Sequence, residues 1–241
     1  MRNFMILGSV LLLGACNFSA DAKEAESPGV QTQRSYQVAG FDRLAVAGPH
    51  NVIVTVGGAP SLRAEGDSKQ IERLEVKVEN GELTIGVKER KGFSWSSNRQ
   101  ALTIYVTAPS LRGAAVAGSG NIKIDRVEGK SFAAAIGGSG NIELPAMKVE
   151  EAAFAIGGSG NIKAAGTAGT SDVSIGGSGD LDRAGLEARQ AKVSIAGSGN
   201  VRARATETAD ISIVGSGDVE LSGGAKCTID KMGSGSARCT G

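Results

Sequence analysis

A Gly-Ser-Gly triplet recurs seven times from residue 118 onward in this 241-residue chain. The first glycine of each triplet is, in order, Gly118, Gly138, Gly158, Gly177, Gly197, Gly215 and Gly233. The intervals between them are 20, 20, 19, 20, 18 and 18 residues. Such a regular period is typical of a solenoid, in which each repeat forms one coil and buries its apolar face only by stacking on its neighbours.

Apolar residues alternate with small or polar residues on both sides of each triplet. With the first glycine as position 0, position +4 is occupied by Ile122, Ile142, Ile162, Leu181, Val201, Val219 and Ala237. Alternation with a period of two is typical of half-buried strands and not of helices. Glycine suits a sharp bend because it tolerates positive φ. The sequence therefore predicts an all-β fold, a single-stranded parallel β-helix or β-solenoid whose ~20-residue coils are marked by GSG-Asn/Asp corners and close with a looser return.

Position +3 is polar in every repeat. It carries Asn121, Asn141, Asn161, Asp180, Asn200, Asp218 and Ser236. Parallel stacking would place these side chains in one column ~4.8 Å apart, where amides can hydrogen-bond from coil to coil. Asn200 separates the two aspartates, so the column predicts a structural ladder and not a cation site.

Two cysteines flank the last triplet. Cys227 lies six residues before Gly233 and Cys239 six residues after it, so both occupy even offsets, the class that points inward. Neighbouring cysteines in an exported chain favour a disulfide. We predict that this disulfide pins the terminal coil.

Residues 35–110 lack the triplet but have strand-like segments separated by turn signals. The candidate strands are Leu44–Val46, Asn51–Val56, Leu62–Glu65, Leu74–Val78, Leu83–Lys88 and Leu102–Thr107. Asn80-Gly81 is a strong hairpin signal. We expect this segment to cap or continue the GSG-repeat solenoid of residues 111–241 and not to fold separately.

The amino end resembles a bacterial lipoprotein leader. Arg2 precedes a short apolar segment, Phe4–Leu13, which is too short for a membrane-spanning helix but suits a signal peptide. It ends in Leu13–Cys16 (LGAC), which resembles a lipobox. The resemblance implies that residues 1–15 are removed and that Cys16 is lipidated. The alternative is an ordinary signal peptide with a chance cysteine.

Residues 16–34 are polar and predict a flexible tether between the lipid anchor and the folded domain. Asn17 stands where an aspartate would signal retention in the inner membrane, so outer-membrane placement is expected for a Gram-negative source. Whether the domain faces the periplasm or the outside stays open.

Charge and motifs exclude several functions. The 26 basic and 25 acidic residues nearly balance, which argues against a nucleic-acid partner. The GSG segments lack the spacing of a nucleophile elbow, a dinucleotide loop or a calcium nonapeptide, so no cofactor and no metal are expected. His50 is the only histidine and is expected to be a solvated loop residue. The outward acidic residues are scattered and alternate with basic ones, which argues against a catalytic carboxylate pair.

One segment suits binding. Residues 88–99 (KERKGFSWSSNR) contain Lys91, Phe93, Trp95 and Arg99, and Trp95 is the only tryptophan. Exposed aromatic rings flanked by cations suit contact with a glycan, a protein or an anionic surface. The alternative is a hairpin loop whose rings fold back over the end of the solenoid.

The order of motifs is similar to that of a known family. YQVAGFDRLAVAGPHNVIVTVGG at 36–58 is followed by LEVKVENGELTIGVKE at 74–89, and LTIYVTAPSLRGAAVAGSGNI at 102–122 leads into the repeats. This order resembles the putative autotransporter adhesin "head GIN domain" family of bacterial surface proteins, from residue 35 to the carboxyl end. The resemblance implies a β-helix-like fold and an exported or surface location, and it supplies no catalytic or ligand residues.

The expected function is therefore a non-enzymatic envelope or surface lipoprotein that binds the membrane through its anchor and a glycan or a surface protein through its domain. Two alternatives stay open, a passive structural scaffold of the envelope and a glycan-processing β-helix enzyme. The oligomeric state is not predicted.

Overall fold

The computed structural model of the chain describes residues 29–88 and 101–241. This part folds as one continuous sheet of seventeen strands with one short helix. The elements are β1 (Gln31–Tyr36), β2 (Arg43–Ala47), β3 (Asn51–Val56), β4 (Ser61–Asp67), α1 (Ser68–Glu72), β5 (Leu74–Glu79), β6 (Glu82–Val87), β7 (Thr103–Ala108), β8 (Gly113–Gly118), β9 (Asn121–Ile124), β10 (Val127–Gly138), β11 (Asn141–Ile156), β12 (Asn161–Gly177), β13 (Leu181–Gly197), β14 (Val201–Gly215), β15 (Val219–Ser222), β16 (Lys226–Met232) and β17 (Ala237–Cys239).

The GSG repeats form the predicted β-solenoid of parallel coils. Ile142 pairs with Ile162 and then with Leu181 along the stack, so equivalent repeat positions lie side by side. Strand β11 runs for 16 residues from one triplet almost to the next. The return that we expected to be loose is therefore hydrogen-bonded strand as well. Coils of nearly equal length explain this difference, because every part of a coil then meets its counterpart on the next one.

Each complete coil has three sides. In β11 the alternation of buried and exposed residues breaks at two pairs of adjacent exposed residues, 145–146 and 150–151. The chain turns at these two places and again at the GSG triplet. We call residues 141–144 the first side, 147–149 the second and 152–156 the third, and use these names for the equivalent residues of every coil. The inward residues of the three sides fill one shared core.

The GSG corner is the tightest contact between coils. Gly158 has a φ of 152°, and a Cβ placed there would collide with the carbonyl oxygen of Gly138 on the preceding coil. The amide of Ser159 donates to that same oxygen at 2.9 Å. Gly160 is similarly constrained by the carbonyl of Gly140. Glycine is therefore needed both for its backbone conformation and for the close approach of stacked corners.

The amino-terminal region continues the solenoid, but its coils stack in a different order from the chain. Strand β2 pairs in parallel with both β8 and β6, and β3 pairs in parallel with both β9 and β7. The β2–β3 coil consequently lies between the β6–β7 coil and the β8–β9 coil, both of which follow it in the sequence. Antiparallel strands then close this end, since β5 pairs with β6, β4 with β7 and β1 with β4.

Two elements were not predicted. Strand β1 begins at Gln31, within the segment 16–34 assigned to the tether, and its residues are mostly exposed. This segment forms a strand because it pairs antiparallel with β4. Such a pairing with a distant strand is not visible in a polar sequence. Helix α1 is a single turn whose N-cap, Asp67, accepts hydrogen bonds from the amides of Lys69 and Gln70.

The last coil is held by a disulfide. Cys227 and Cys239 are bonded, with their Cα atoms 6.7 Å apart, as their offsets from Gly233 predicted. This coil has no further coil to cover it, and Ile229 and Met232 are 40% and 73% exposed. A covalent link between two strands compensates for the contacts that a stacked neighbour supplies elsewhere.

Candidate functional site

The outer surface of the first side carries the predicted amide ladder. Asn141 Nδ2 donates to Asn121 Oδ1 at 2.8 Å, and Asn161 Nδ2 donates to Asn141 Oδ1 at 3.1 Å. The ladder extends one coil further than the triplets, because Asn121 Nδ2 donates to Asn51 Oδ1 at 2.8 Å. Asn51 follows Gly48-Pro49-His50, which replaces a GSG triplet in the β2–β3 coil.

Aspartates change the ladder in its carboxyl-terminal half. Asp180 Oδ1 accepts from both the backbone amide and Nδ2 of Asn200, each at 2.9 Å. Asp218 Oδ1 accepts from the amide of Ser236 at 2.8 Å and from its hydroxyl at 2.7 Å. These bonds to Ser236 lower the pKa of the Asp218 carboxyl. Both carboxylates are therefore used as acceptors within the stack.

A column of alternating charge runs beside the amide ladder, at position +5. Its members are Lys123, Glu143, Lys163, Asp182, Arg202, Glu220 and Arg238. The strand register places each charge next to the opposite sign on every neighbouring triplet coil, so the five inner members have an opposite charge on both sides. Two of these pairs close to ion-pair distance, Lys123 with Glu143 at 3.4 Å and Arg202 with Glu220 at 3.6 Å.

The amide ladder and the charge column together form what we call the ladder face. A shallow depression of about 480 Å³ lies on it between Asp180 and Arg238. Because adjacent charges neutralise one another, the face has no region of one sign that would attract a charged ligand from a distance. Its regularity serves the stacking of coils.

A larger concavity lies on the third side, next to the corner at 150–151. This axial groove has a volume of about 500 Å³ and is lined by residues of six coils. Its polar lining consists of Arg112, Ser131, Glu151, Thr170, Asp172, Gln190, Lys192, Thr208 and Asp210. Alanines at 133, 152, 153 and 191, with Phe132, provide the apolar part of its wall.

The axial groove presents hydroxyl, amide and charged groups in a line. Asp172, Lys192 and Asp210 are register partners on three successive coils, so the lysine lies between the two carboxylates. At one end Arg112 Nε lies 2.6 Å from Asp42 Oδ2, a contact that raises the pKa of Arg112 through this hydrogen bond and the carboxylate charge. Such a lining can donate to and accept from an extended polar ligand along the solenoid axis.

The residues proposed for the binding loop, Lys91, Phe93, Trp95 and Arg99, lie outside the described residues, as does Cys16. The described chain leaves β6 at Lys88 and resumes at Ala101 before β7. Since β6 and β7 stack on β2 and β3, both ends of this loop lie on the edge that carries the GSG corners. A binding role for the loop stays a prediction.

The expectation for His50 was wrong. Its side chain is buried, with the residue only 3% exposed, and neither ring nitrogen has a hydrogen-bond partner among the described residues. Burial lowers the pKa of His50. The histidine occupies the place of the second glycine of a triplet, and its carbonyl oxygen accepts from the amide of Asn121 at 2.9 Å.

Two further features concern ions and membranes. Within residues 29–88 and 101–241 no three His, Cys, Asp or Glu side chains are grouped so that they could hold a metal ion. In the same ranges no helix has the length and apolar character needed to cross a bilayer.

Sequence reasoning missed one buried charge. Arg183 is fully buried, although position +6 is otherwise occupied by apolar residues or cysteine in the coils from Ile124 to Cys239. The signal was available, since +6 is an even offset from Gly177 and the even offsets point inward.

Comparison with known proteins places this geometry in a family. Residues 40–225 match the family model described as "Putative auto-transporter adhesin, head GIN domain". No curated protein matches the chain.

Several solved structures share the fold. A putative adhesin from Bacteroides fragilis is 21% identical over 87% of this chain and 97% of that one, with a TM-score of 0.81. A putative lipid binding protein from Parabacteroides distasonis is 24% identical over 88% and 97%, with a TM-score of 0.70. A putative adhesin from Parabacteroides merdae is 18% identical over 88% and 97%, with a TM-score of 0.66.

The family model covers most of the chain, including the β2–β3 coil and six of the seven triplets. The triplets that mark its coils and the amino-terminal motifs that precede them lie inside the matched range. The chain therefore belongs to the head GIN domain family of putative auto-transporter adhesins.

Proposed function

We propose that this protein is a non-enzymatic binding module of the cell envelope that holds an extended glycan chain in the axial groove. The observation that carries the proposal is the groove itself, which runs across six coils and is lined by hydroxyl, amide and charged side chains. Sugars are recognised by such groups because each hydroxyl of a sugar can both donate and accept a hydrogen bond. The adhesin family to which the chain belongs supports a binding role.

The arrangement of carboxylates favours binding over catalysis. Glycoside hydrolases need two carboxyl groups that face each other across the scissile bond. In the groove, Lys192 lies between Asp172 and Asp210 in the strand register, so the three alternate in charge. The two carboxylates are therefore one coil apart on either side of a lysine, and do not face each other as a hydrolase pair does.

The groove proposal is tested with an array of glycans probed by the mature protein, followed by titration with oligosaccharides of increasing length. Affinity should rise with length until the ligand spans the groove. Gln190→Ala and Lys192→Ala should weaken binding, whereas Lys163→Ala, an equally exposed change on the ladder face, should not. Equal losses of glycan affinity in all three variants would contradict the proposal. An array on which no glycan is bound would contradict it as well and would favour a passive scaffold.

The Trp95 loop is a second candidate contact, and it is tested separately. Trp95→Ala should reduce glycan affinity if the ring stacks on a sugar, and circular dichroism should show the fold retained. Release of reducing ends from a bound glycan would instead identify an enzyme.

We further propose that Cys16 carries the lipid that holds the domain at a membrane, with the polar segment from Asn17 as a tether. The support is the leader sequence together with the polar composition of residues 16–34. Cells fed a labelled fatty acid should label the wild-type protein and not Cys16→Ser. Protease treatment of intact cells then distinguishes an outward from a periplasmic face.

A further inference from the structure

Arg183 is a buried charge without a hydrogen-bond partner among the described residues. Its residue is 0% exposed, on the first side of β13. No described residue accepts a hydrogen bond from Nε, Nη1 or Nη2 of its guanidinium. Guanidinium is a rigid group with five N–H donors, and an unpaired buried charge is one of the costliest features in a protein interior.

Ser171 lies in the same coil, at the position that faces Arg183 across the core. It is 1% exposed, and its Oγ also lacks a hydrogen-bond partner in the described part of the chain. Ser171 and Arg183 stand six residues before and six after Gly177. Cys227 and Cys239 occupy the same two offsets in the last coil, where their Cα atoms are 6.7 Å apart. The hydroxyl and the guanidinium therefore share one small volume of the core.

Small residues flank both side chains on the neighbouring coils. On the Arg183 side the adjacent inward residues are Ala164 and Ala203, whereas the same column has Leu144 and Leu221 further along the stack. On the Ser171 side the flanking residues are Ala152 and Ala191. Alanines thus surround the two polar side chains on both adjacent coils, in columns where larger residues occur elsewhere.

The guanidinium remains charged despite its burial. Desolvation lowers the pKa of Arg183 to about 10, and the negative charge of Asp172 opposes that shift. Asp172 itself points outward into the axial groove and does not accept a hydrogen bond from the guanidinium. At neutral pH the core therefore contains a cation whose nearest named counter-charge is outside it.

We propose that Arg183 and Ser171 form an internal binding site for a small inorganic anion, chloride. Chloride accepts hydrogen bonds from N–H and O–H donors, which are the groups that both side chains offer. Its single charge balances that of one guanidinium, and its size suits a space bounded by methyl groups. Sulfate and phosphate are larger and more highly charged, so this site should discriminate against them.

The test is equilibrium unfolding at constant ionic strength, with sodium chloride progressively replaced by sodium gluconate. An anion that binds only the folded state stabilises it by mass action, so the folding equilibrium constant of the wild type should rise up to tenfold for each tenfold increase in chloride above the dissociation constant. Arg183→Met should abolish this dependence. Ser171→Ala should weaken it, and alanine fits there because Ala152 and Ala191 flank the position.

Arg202→Met is the matched control, because it removes an exposed arginine from the next coil and should keep the wild-type chloride dependence. Crystals grown in sodium bromide should show an anomalous peak beside the Arg183 guanidinium. Chloride dependence that Arg183→Met shares with the wild type would overturn the proposal, as would a bromide map without a peak there. If Arg183→Met does not fold, the chloride dependence of Ser171→Ala and the bromide map still test whether an anion binds at this site.

Discussion

The Nζ atom of Lys123 lies 3.4 Å from Oε2 of Glu143 on the adjacent coil, and Glu143 is in turn the register partner of Lys163. One carboxylate thus lies between two ammonium groups in a stack of parallel strands. All seven charges in this column have the opposite sign as register partner on every neighbouring triplet coil. The pattern prevents like charges from meeting wherever the coils are in register.

Glu143→Lys should therefore destabilise the solenoid, because it places three ammonium groups in succession. The expected loss is roughly 1 kcal/mol, from two like-charged neighbours that each cost about 0.2–1 kcal/mol in exposed positions. Urea denaturation at low and high salt measures it, and salt should shrink the effect. Glu143→Gln is the control and should lose less stability than Glu143→Lys. A salt-independent loss would show that packing, and not charge, is responsible.

Gly158→Ala should be severely destabilising, whereas Gly157→Ala should be tolerated. A Cβ at Gly158 collides with the backbone of Gly138 and requires an unfavourable φ of 152°. A Cβ at Gly157 approaches nothing closer than 3.8 Å, at the Ile136 carbonyl oxygen. We expect a loss of at least roughly 3 kcal/mol for the first variant. Comparison of thermal midpoints measures the difference, and similar midpoints would refute the stacking role of the corner.

Removal of the disulfide with Cys227→Ala and Cys239→Ala together should loosen the last coil first. Closing a loop of this length, with a sequence separation of 12, restricts the unfolded chain by about 3 kcal/mol. In a solenoid each coil contacts only its neighbours, so the effect should remain local. Amide exchange should accelerate in β16 and β17 and stay unchanged in β10 to β12. Uniform acceleration would contradict the local model.

Acidification should destabilise the protein through His50. Burial lowers the pKa of its imidazole in the folded state, so below about pH 6.5 the unfolded state binds a proton that the folded state does not. Stability should therefore fall as the pH drops from 7.5 to 5.5. His50→Leu should remove this part of the pH dependence, which denaturant midpoints at both pH values measure. The same slope in wild type and variant would exclude His50 as the titrating group.

The repeats made much of the fold predictable. The interval between triplets gave the coil length, and the even offsets from each Gly identified inward residues such as Ile142 and Cys227. Both depend on a local pattern that stacking simply repeats. Asn51 was missed as a ladder member because its coil has Gly48-Pro49-His50 in place of a triplet, and only the three-dimensional stack shows that the two corners are equivalent.

The remaining features depend on contacts between distant segments. The position of the β2–β3 coil between later coils follows from pairings such as Val52 with both Ile104 and Ile122, which no local pattern contains. The axial groove could not be predicted either, since it results from the relative height of side chains on six coils. The inward orientation of Arg183 agreed with its offset but conflicted with the usual preference of a charge for water.

The stacking order at the amino end also dictates when the molecule can begin to acquire structure. The β2–β3 coil is the first to emerge from a ribosome or a translocation pore, yet both of its neighbours, β6–β7 and β8–β9, are made later. Addition of the repeat coils can therefore start only after residue 124 has emerged, because β10 pairs with β8 and β11 with β9. Until then β2 and β3 have an unpaired edge, and exposed strand edges favour aggregation. A cell that makes this protein must therefore protect this nascent segment before the GSG-repeat coils can stack one after another.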